Sequence, residues 1–381
     1  MDLTDFRRRV NCVLGLPIDT LSSAETIDHI RTALAARSQC WLCTSNVQYL
    51  VETRKDRQFR DTVIKSDLSL TDGIPLIWLA RLMGVRVKER VAGSDLFDAL
   101  MSGKGGALKV FFFGGPDGVA EKACRRLNAS PGPLVCVGFV SPGYGSVEQM
   151  SDPAVIEQIN LSGADFLVVA LGAKKGQAWI ERNRHILTVP VMSHLGAVIN
   201  FVAGTILRAP VWMRNSGMEW LWRIKEEPRL WRRYMGDLKS LMVLVITRVP
   251  AALVWRAIGF FDRRQSTAGI LIDRKNTTPG RPVEKSAVHP ARATLSGKWL
   301  EADLPLLQKA FETLTREPGD IELQVGSLEG VGSAFVALLL LLYGHQRKID
   351  RRLTLLSPSR TLRCILRLHC AEFLFSPIER A

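Results

Sequence analysis

The chain has 381 residues, of which 47% are hydrophobic, so we expect two or three domains that each bury a core. Its formal net charge of +14 favours an anionic partner, which is a nucleotide, a nucleic acid or a membrane surface. The seven scattered cysteines argue against a small disulfide-stabilised secreted domain, and we expect free thiols in a reducing compartment.

The N-terminal stretch MDLTDFRRRVNCVLGLPIDT has no apolar signal-peptide core, which predicts a protein that is not exported. From there to residue 203, short apolar runs alternate with helical patterns. Runs such as VFFF and FLVVAL are apolar at successive positions, as in strands covered on both faces. They predict an α/β fold with a Rossmann-like, mostly parallel sheet between helices. The predicted strands are residues 40–45, 108–115, 134–140, 165–172 and 188–196, with crossover helices at residues 117–129 and 175–186.

Ligands of open α/β sheets bind beyond the carboxyl ends of the strands. Here TSN, TDG, GGPDG, SPGYG, GAKKG and SHLGA occupy those places, and their glycines, hydroxyls and amides suit a phosphate-bearing ligand. Gly114 and Gly115 of GGPDG are candidate nucleotide contacts, with a plain tight turn as the equal alternative. The chain contains neither GxGxxG nor GxxxxGK[ST], which argues against dinucleotide and ATPase sites. Cys40 and Cys43 are interpreted as core thiols of a strand, because no second CxxC completes a zinc site.

Residues 204–264 differ in composition, with five of the nine tryptophans and twelve Lys or Arg against five acidic residues. This pattern predicts amphipathic helices that lie at the headgroup zone of an anionic bilayer. The arginines also suit a pyrophosphate group, and the alternative is a Trp-rich helical hairpin packed on the α/β domain. The apolar stretch 238–261 is interrupted by cationic residues, and we expect Pro250 to break any continuous helix there.

The remaining chain predicts a linker and a small separate unit. Residues 273–294 are rich in Pro, Thr and charge, as linkers are. Residues 295–381 contain two strand patterns, IELQVGSLEGVG and RRLTLLSPS, and two helix patterns, GSAFVALLLLLYGHQRK and SRTLRCILRLHCAEFLF. We therefore predict four parts: an α/β domain (1–203), a helical appendage (204–264), a linker (265–294) and a small α/β domain (295–381).

Seven motifs carry a family resemblance between about residues 40 and 236. They are TSNVQYL, TDGIPLIWLARLMG, KERVAGSDL, VFFFGG, LGAKKGQAWI, HLGAVINFVAGTILRAPVWM and GMEWLWRIKEEPRLWRRY. Together they resemble the WecG/TagA/CpsF glycosyltransferases, glycosyltransferase family 26. The resemblance implies an inverting enzyme that moves a sugar from a UDP donor to a polyprenyl-diphosphate-linked saccharide in bacterial cell-surface polysaccharide synthesis. It implies peripheral attachment to the cytoplasmic face of the inner membrane, and it leaves the sugar open between N-acetylmannosamine, its uronic acid and glucuronic acid.

The resemblance also implies roles for individual residues. Asp72 matches the acid that follows the second strand of the family and is the expected general base, with a turn or helix-cap residue as the local alternative. Thr44 and Asn46 match the family's TxN, and a loop that approaches the donor is matched by Arg90, Gly93 and Asp95. No metal motif is present, so we expect metal-independent transfer without a cofactor, in which arginines stabilise the leaving UDP. The candidate arginines are Arg208, Arg223, Arg229, Arg232 and Arg233.

Two segments depart from known patterns or match them only weakly. Many relatives carry GxPKQE where this chain has GAKKGQA, so Gly176 replaces the Gln and Gln177 replaces the Glu. Gln177 either takes over the polar role or that contact is absent. The segment VGSLEGVGSAFVALLLLL weakly resembles a STAS domain, which implies an interaction or regulatory module that binds a protein partner. We interpret its Ser333 as a helix N-cap.

Two other functions remain open from the sequence. The first is a nucleic-acid-binding protein, suggested by the net charge, although the basic residues lie among tryptophans rather than along a phosphate-tracking stripe. We therefore expect no nucleic-acid partner. The second is a catalytically inactive membrane scaffold that uses the degenerate GAKKGQA and the C-terminal domain.

Overall fold

A computed structural model describes residues 4–103, 106–261, 268–273 and 290–375 of the chain. They belong to two compact units. The larger unit comprises Asp19–Arg81 and Arg86–Met242, and the smaller unit comprises Met1–Ile18, Leu82–Val85 and Val243–Ala381. Most of the predicted linker lies outside the described residues, and the four predicted domain boundaries stay predictions.

The larger unit is built on a six-stranded parallel sheet in the order β4-β3-β8-β7-β5-β6. Its strands are β3 (Cys40–Ser45), β4 (Leu68–Thr71), β5 (Leu108–Gly114), β6 (Leu134–Val140), β7 (Phe166–Ala170) and β8 (Val191–His194). Its helices up to β8 are α1 (Ser23–Ala36), α2 (Val47–Lys55), α3 (Arg57–Ile64), α4 (Ile74–Leu82), α5 (Gly93–Met101), α6 (Val119–Ala129), α7 (Pro153–Leu161) and α8 (Ala173–Asn183). The predicted mostly parallel sheet flanked by helices is confirmed.

Successive apolar residues in the central strands pack against helices on both faces of the sheet. Phe111, Phe112 and Phe113 in β5 are all fully buried, and the Phe113 ring stacks on Trp179 of α8 with centroids 4.2 Å apart. Burial of this kind stabilises the fold by about 1.5–3 kcal/mol for each large side chain. Cys40 in β3 is buried among such residues, as expected of a core thiol.

One cysteine prediction is wrong. Cys124 of α6 and Cys136 of β6 form a disulfide, with Cα atoms 5.2 Å apart. They are twelve residues apart in the chain, and the packing of α6 against β6 brings them within the range that a disulfide requires. Spacing alone did not reveal this pair, because it depends on which face of α6 meets the strand.

Four helices follow β8: α9 (Val198–Ala203), α10 (Val211–Asn215), α11 (Glu219–Glu226) and α12 (Leu230–Phe261). The prediction that Pro250 breaks the helix is wrong, because α12 continues through it. Proline removes one backbone donor and leaves the carbonyl four residues earlier unpaired. Both Pro250 and Ile246 are exposed, so water can hydrate that carbonyl and the flanking turns persist. Among the described residues, no helix is both long enough and apolar enough to cross a bilayer.

The smaller unit contains a mixed sheet in the order β12-β11-β10-β9, in which only the β9–β10 pair is antiparallel. Its other elements include an N-terminal hairpin and an apolar helix, α14. The bounds are β1 (Val10–Val13), β2 (Leu16–Asp19), β9 (Gly269–Asp273), β10 (Ala291–Lys298), α13 (Leu304–Leu314), β11 (Ile321–Gly330), α14 (Ser333–Lys348), β12 (Leu353–Leu356) and α15 (Arg360–Leu368). Gly332, not Ser333, occupies the N-cap of α14, and the Ser333 hydroxyl donates to Asn11 Oδ1 at 2.8 Å. The STAS-like resemblance stays a prediction.

Candidate active site

A cavity of about 650 Å³ opens at the carboxyl ends of the central strands of the larger unit. Each of four strands contributes a residue at or just beyond its end: Thr44 from β3, Asp72 from β4, Gly172 from β7 and His194 from β8. The remaining walls come from the starts of α2, α4 and α5 on one side and from helices α9 to α12, between residues 198 and 241, on the other. Ligands bind at this edge of open α/β sheets, and the cavity is large enough for a nucleotide-sized molecule.

Asp72 lies directly after β4 and is partly buried at the cavity wall. Its backbone N–H donates to Ser45 O at 2.7 Å, and Gly73 takes a φ of +103°, which lets the chain turn sharply into α4. Burial raises the pKa of Asp72 to about 6, Glu219 raises it too, and Arg90 and Arg223 oppose the shift. A carboxyl group poised near neutral pH suits general-base chemistry.

A charged network lies beside Asp72. Asp95 pairs with three guanidinium groups, those of Arg90, Arg208 and Arg214. Arg90 also binds Glu219, with Nη1 and Oε2 2.9 Å apart. Charge-assisted pairs of this kind fix the positions of side chains from the loop before α5 and from the α10–α11 region.

Three other predicted residues, Thr44, Asn46 and Gly93, lie at the cavity wall. Thr44 and Gly93 line it, and a β-carbon at Gly93 would clash with Leu195 Cδ2. Asn46 lines it as well, while its Oδ1 accepts from Tyr49 N at 3.1 Å to cap α2. Asp95 does not line the cavity but orients Arg90 and Arg214, which do. The substrate roles of all these residues stay predictions.

The five predicted arginines fall into three groups. Arg223 and Arg233 line the cavity. Arg208 lies behind it, where it donates to Ser94 Oγ at 2.9 Å and pairs with Asp95. Arg229 and Arg232 are exposed and do not border the cavity.

Three further predicted contacts lie outside the cavity wall. Gly114 and Gly115 take φ values of +103° and +84°, and Gly115 N donates to Ala170 O at 2.8 Å, so they shape the tight turn that leads from β5 toward α6. Gln177 is fully buried. Its Oε1 accepts from Trp41 Nε1 at 2.8 Å and its Nε2 donates to Tyr49 OH at 2.9 Å, which supports a tyrosine of the wall from behind.

Sequence reasoning missed several polar residues of the cavity, among them Glu219, Arg214, Tyr234 and His194. Glu219 lies within one quoted motif and Arg214 directly follows another, but only their contacts with Arg90 and Asp95 separate them from ordinary helix-surface charges. The sequence did offer one indication of His194, because this residue begins the segment HLGA at a strand end. Its Nε2 is buried and has no hydrogen-bond partner among the described residues.

Comparisons with known proteins agree with this geometry. A family model described as glycosyl transferase, WecG/TagA/CpsF family, matches residues 11–252. An N-acetylglucosaminyldiphosphoundecaprenol N-acetyl-beta-D-mannosaminyltransferase of Bacillus subtilis is 28% identical over 205 residues, which cover 54% of this chain and 78% of the relative. A protein of the same description from Bacillus spizizenii is 26% identical over 212 residues, 55% of this chain and 80% of the relative.

Proposed function

This chain belongs to the WecG/TagA/CpsF glycosyltransferase family, and we propose that it transfers an N-acetylmannosamine-type sugar from a UDP donor to a polyprenyl-diphosphate-linked saccharide. The acceptor class and the sugar are those printed in the names of its relatives, which act on N-acetylglucosaminyldiphosphoundecaprenol. The observation that carries the proposal is Asp72, a carboxyl group with a raised pKa at the wall of a cavity rich in arginine.

The proposed reaction is a single displacement with inversion. The acceptor hydroxyl oxygen attacks the anomeric carbon, the bond from that carbon to the diphosphate oxygen breaks, and UDP leaves with the bonding electrons. Asp72 takes the hydroxyl proton as the new bond forms. Because its pKa is about 6, the carboxylate is mostly deprotonated at neutral pH and ready to accept a proton.

The leaving diphosphate gains negative charge during this step. Arg223 and Arg233 line the same cavity as Asp72, and fixed guanidinium groups in a partly dry site stabilise such charge well. Transfer without a metal, which the resemblance implies, stays a prediction.

An exposed apolar face on α12 supports peripheral attachment to the membrane that holds the acceptor. Trp231, Met235, Leu238 and Met242 are 40% to 51% exposed, and their spacing of four, three and four residues places them on one side of the helix. Met235 and Leu238 also line the cavity. Exposed Arg229, Arg232 and Lys239 lie near this apolar face along the chain and suit anionic headgroups, so the cavity would open toward a lipid-linked acceptor.

The smaller unit has a separate proposed role as an interaction module. Its four-stranded mixed sheet and buried α14 give it a core of its own, and the weak STAS-like resemblance favours binding of a protein partner over catalysis. Binding of such a partner is expected to leave the chemistry at Asp72 unchanged.

A direct assay tests the enzymatic proposal. Purified chain is incubated with a panel of UDP-sugars and a short-chain prenyl-diphosphate N-acetylglucosamine, and products are identified by mass spectrometry. We expect one added N-acetylhexosamine with UDP-N-acetylmannosamine as donor. Transfer of another sugar would correct the donor assignment, and no transfer from any donor would favour the inactive scaffold.

A further inference from the structure

Gly176 and His194 contact each other although eighteen positions separate them in the sequence. A β-carbon at position 176 would clash with His194 Cδ2, and one at position 196 would lie 3.1 Å from Nε2. The imidazole ring therefore occupies a slot between two glycines, one in α8 and one just after β8. Any larger residue at position 176 would displace the ring.

The ring presents an unsatisfied polar group at the cavity. His194 is 9% exposed and lines the cavity, and its Nε2 is buried without a hydrogen-bond partner in the described part of the chain. Buried polar atoms in folded proteins are almost always hydrogen-bonded, and an exception requires an explanation. A polar atom of a bound ligand would supply the missing bond.

The position of His194 in the sheet indicates which part of a ligand reaches it. Strand β8 is two strands from β4 in the sheet, and the register offsets His194 from Asp72 by three residues along the strands. Their backbones are therefore separated by about 10 Å across the sheet and by about 10 Å along it. Arg90 and Arg223 act on the pKa of Asp72, whereas the pKa of His194 is lowered to about 4 by burial alone. The cavity therefore has a charged region at Asp72 and an uncharged region at His194, where Gly172, Ala173, Gly196 and Ala197 complete the wall.

We propose that His194 hydrogen-bonds the nucleoside part of the nucleotide-sugar donor and that Gly176 holds its ring in place. This inference rests on the proposed function, in which the anomeric carbon lies at Asp72 and the diphosphate at the arginines. The base and ribose are the uncharged polar parts of the donor, and the region around His194 is the uncharged part of the cavity.

Replacement of His194 by Phe is the main test, because Phe keeps a planar ring and removes both nitrogens. Isothermal titration with UDP is expected to show a Kd raised roughly fivefold to twentyfold, the effect of one lost hydrogen bond in a buried site. The KM for the UDP-sugar should rise similarly, while kcat and the KM for the acceptor stay within about twofold. His185 is exposed and does not border the cavity, so His185→Phe is the matched control.

Gly176→Ala provides a second test that keeps the imidazole. The added β-carbon displaces the His194 ring, so UDP affinity should fall as in the Phe variant. Combining Gly176→Ala with His194→Phe should add little, because both changes remove the same contact. Thermal unfolding checks that each variant is folded, and if the Phe variant does not fold, the Ala variant alone decides.

The outcomes separate this inference from the proposed function. If the unmodified chain neither binds UDP nor transfers sugar, the proposed function is wrong and the inference falls with it. If the unmodified chain binds UDP and both variants bind it equally well, only the assignment of His194 is overturned. A rise in the acceptor KM with unchanged UDP affinity would likewise overturn it, since His194 would then contact the acceptor.

Discussion

Asp72 combines two properties at the scale of a single residue, a position directly after β4 and a pKa raised by burial. The family motif predicted its position after a strand, and its role as base stays a prediction. The raised pKa was not predictable, because it depends on Glu219 and on surrounding apolar groups that the fold brings together. The surroundings of His194 were not predictable for the same reason, because they depend on Gly176 in another element.

Asp72→Asn should lower kcat by roughly a hundredfold to ten-thousandfold, since it removes a general base and keeps the side-chain shape. The folded state binds the Asp72 proton more tightly than the unfolded state does, so Asp72 lowers stability increasingly as pH rises from about 4 to about 6. The Asn variant should therefore unfold at an equal or higher temperature at pH 8. Asp117 is an exposed acid after β5, and Asp117→Asn should retain normal turnover. Near-normal turnover of the Asp72 variant would contradict its role.

The pH profile provides a second prediction at this scale. The base must be deprotonated to act, so kcat/KM should rise with pH up to about 6 and then level. Glu219→Gln removes a negative charge that raises the Asp72 pKa and releases Arg90, which lowers it. Both changes should move the inflection to lower pH, whereas Glu121→Gln, at a partly exposed acid of α6 outside the cavity, should leave it in place. An unchanged inflection in the Glu219 variant would mean that another group controls the profile.

At the scale of the element, the apolar runs predicted the strands well, whereas the proline rule predicted the last helix poorly. Strand β3 has the bounds that the pattern indicated, because both faces of a central strand are buried. Pro250 was expected to break a continuous helix, but α12 continues through it. The exposed position of Pro250 lets water hydrate the carbonyl group that has lost its partner. Composition indicated that the α11–α12 region is basic and aromatic, but not which arginines face the cavity.

Replacing Arg223 or Arg229 tests whether an arginine that faces the cavity matters more than an exposed one in the same segment. Arg223 lines the cavity, and Arg229 is exposed and does not. Arg223→Gln should slow transfer about tenfold to a hundredfold, the value of one charge-assisted contact to the leaving group. Arg229→Gln should stay within about twofold on a water-soluble acceptor. Equal effects of the two changes would indicate that the segment acts through general charge instead of direct contact.

At the scale of the whole molecule, composition predicted more than one compact unit, and two are present. The net charge of +14 left nucleic acid and membrane as alternative partners. The exposed apolar residues of α12 favour the membrane, because the phosphates that attract a basic protein to nucleic acid do not cover Met and Leu side chains. The choice between these partners required knowing which apolar side chains are exposed, and the charge pattern does not show that.

Trp231 and Met242 test membrane docking without touching the cavity. They are 51% and 48% exposed and do not line it. The double change Trp231→Glu and Met242→Glu should weaken cosedimentation with anionic vesicles at least tenfold, since each apolar group contributes about 1.5–3 kcal/mol when buried. Tyr144→Glu, at a 96% exposed ring elsewhere, is the control. Alkaline carbonate should release the unmodified protein, and retention would contradict peripheral attachment.

The pairing of Arg90 with Asp95 and Glu219 means that an anion entering the cavity competes with protein carboxylates for this arginine. Arg90 is already paired with two protein carboxylates, so an incoming diphosphate must displace a carboxylate to bind this arginine. A small anion such as free phosphate gains too little from one arginine to do so, whereas a nucleotide adds contacts elsewhere in the cavity. At Arg90 the paired carboxylates should therefore favour a nucleotide diphosphate over free phosphate.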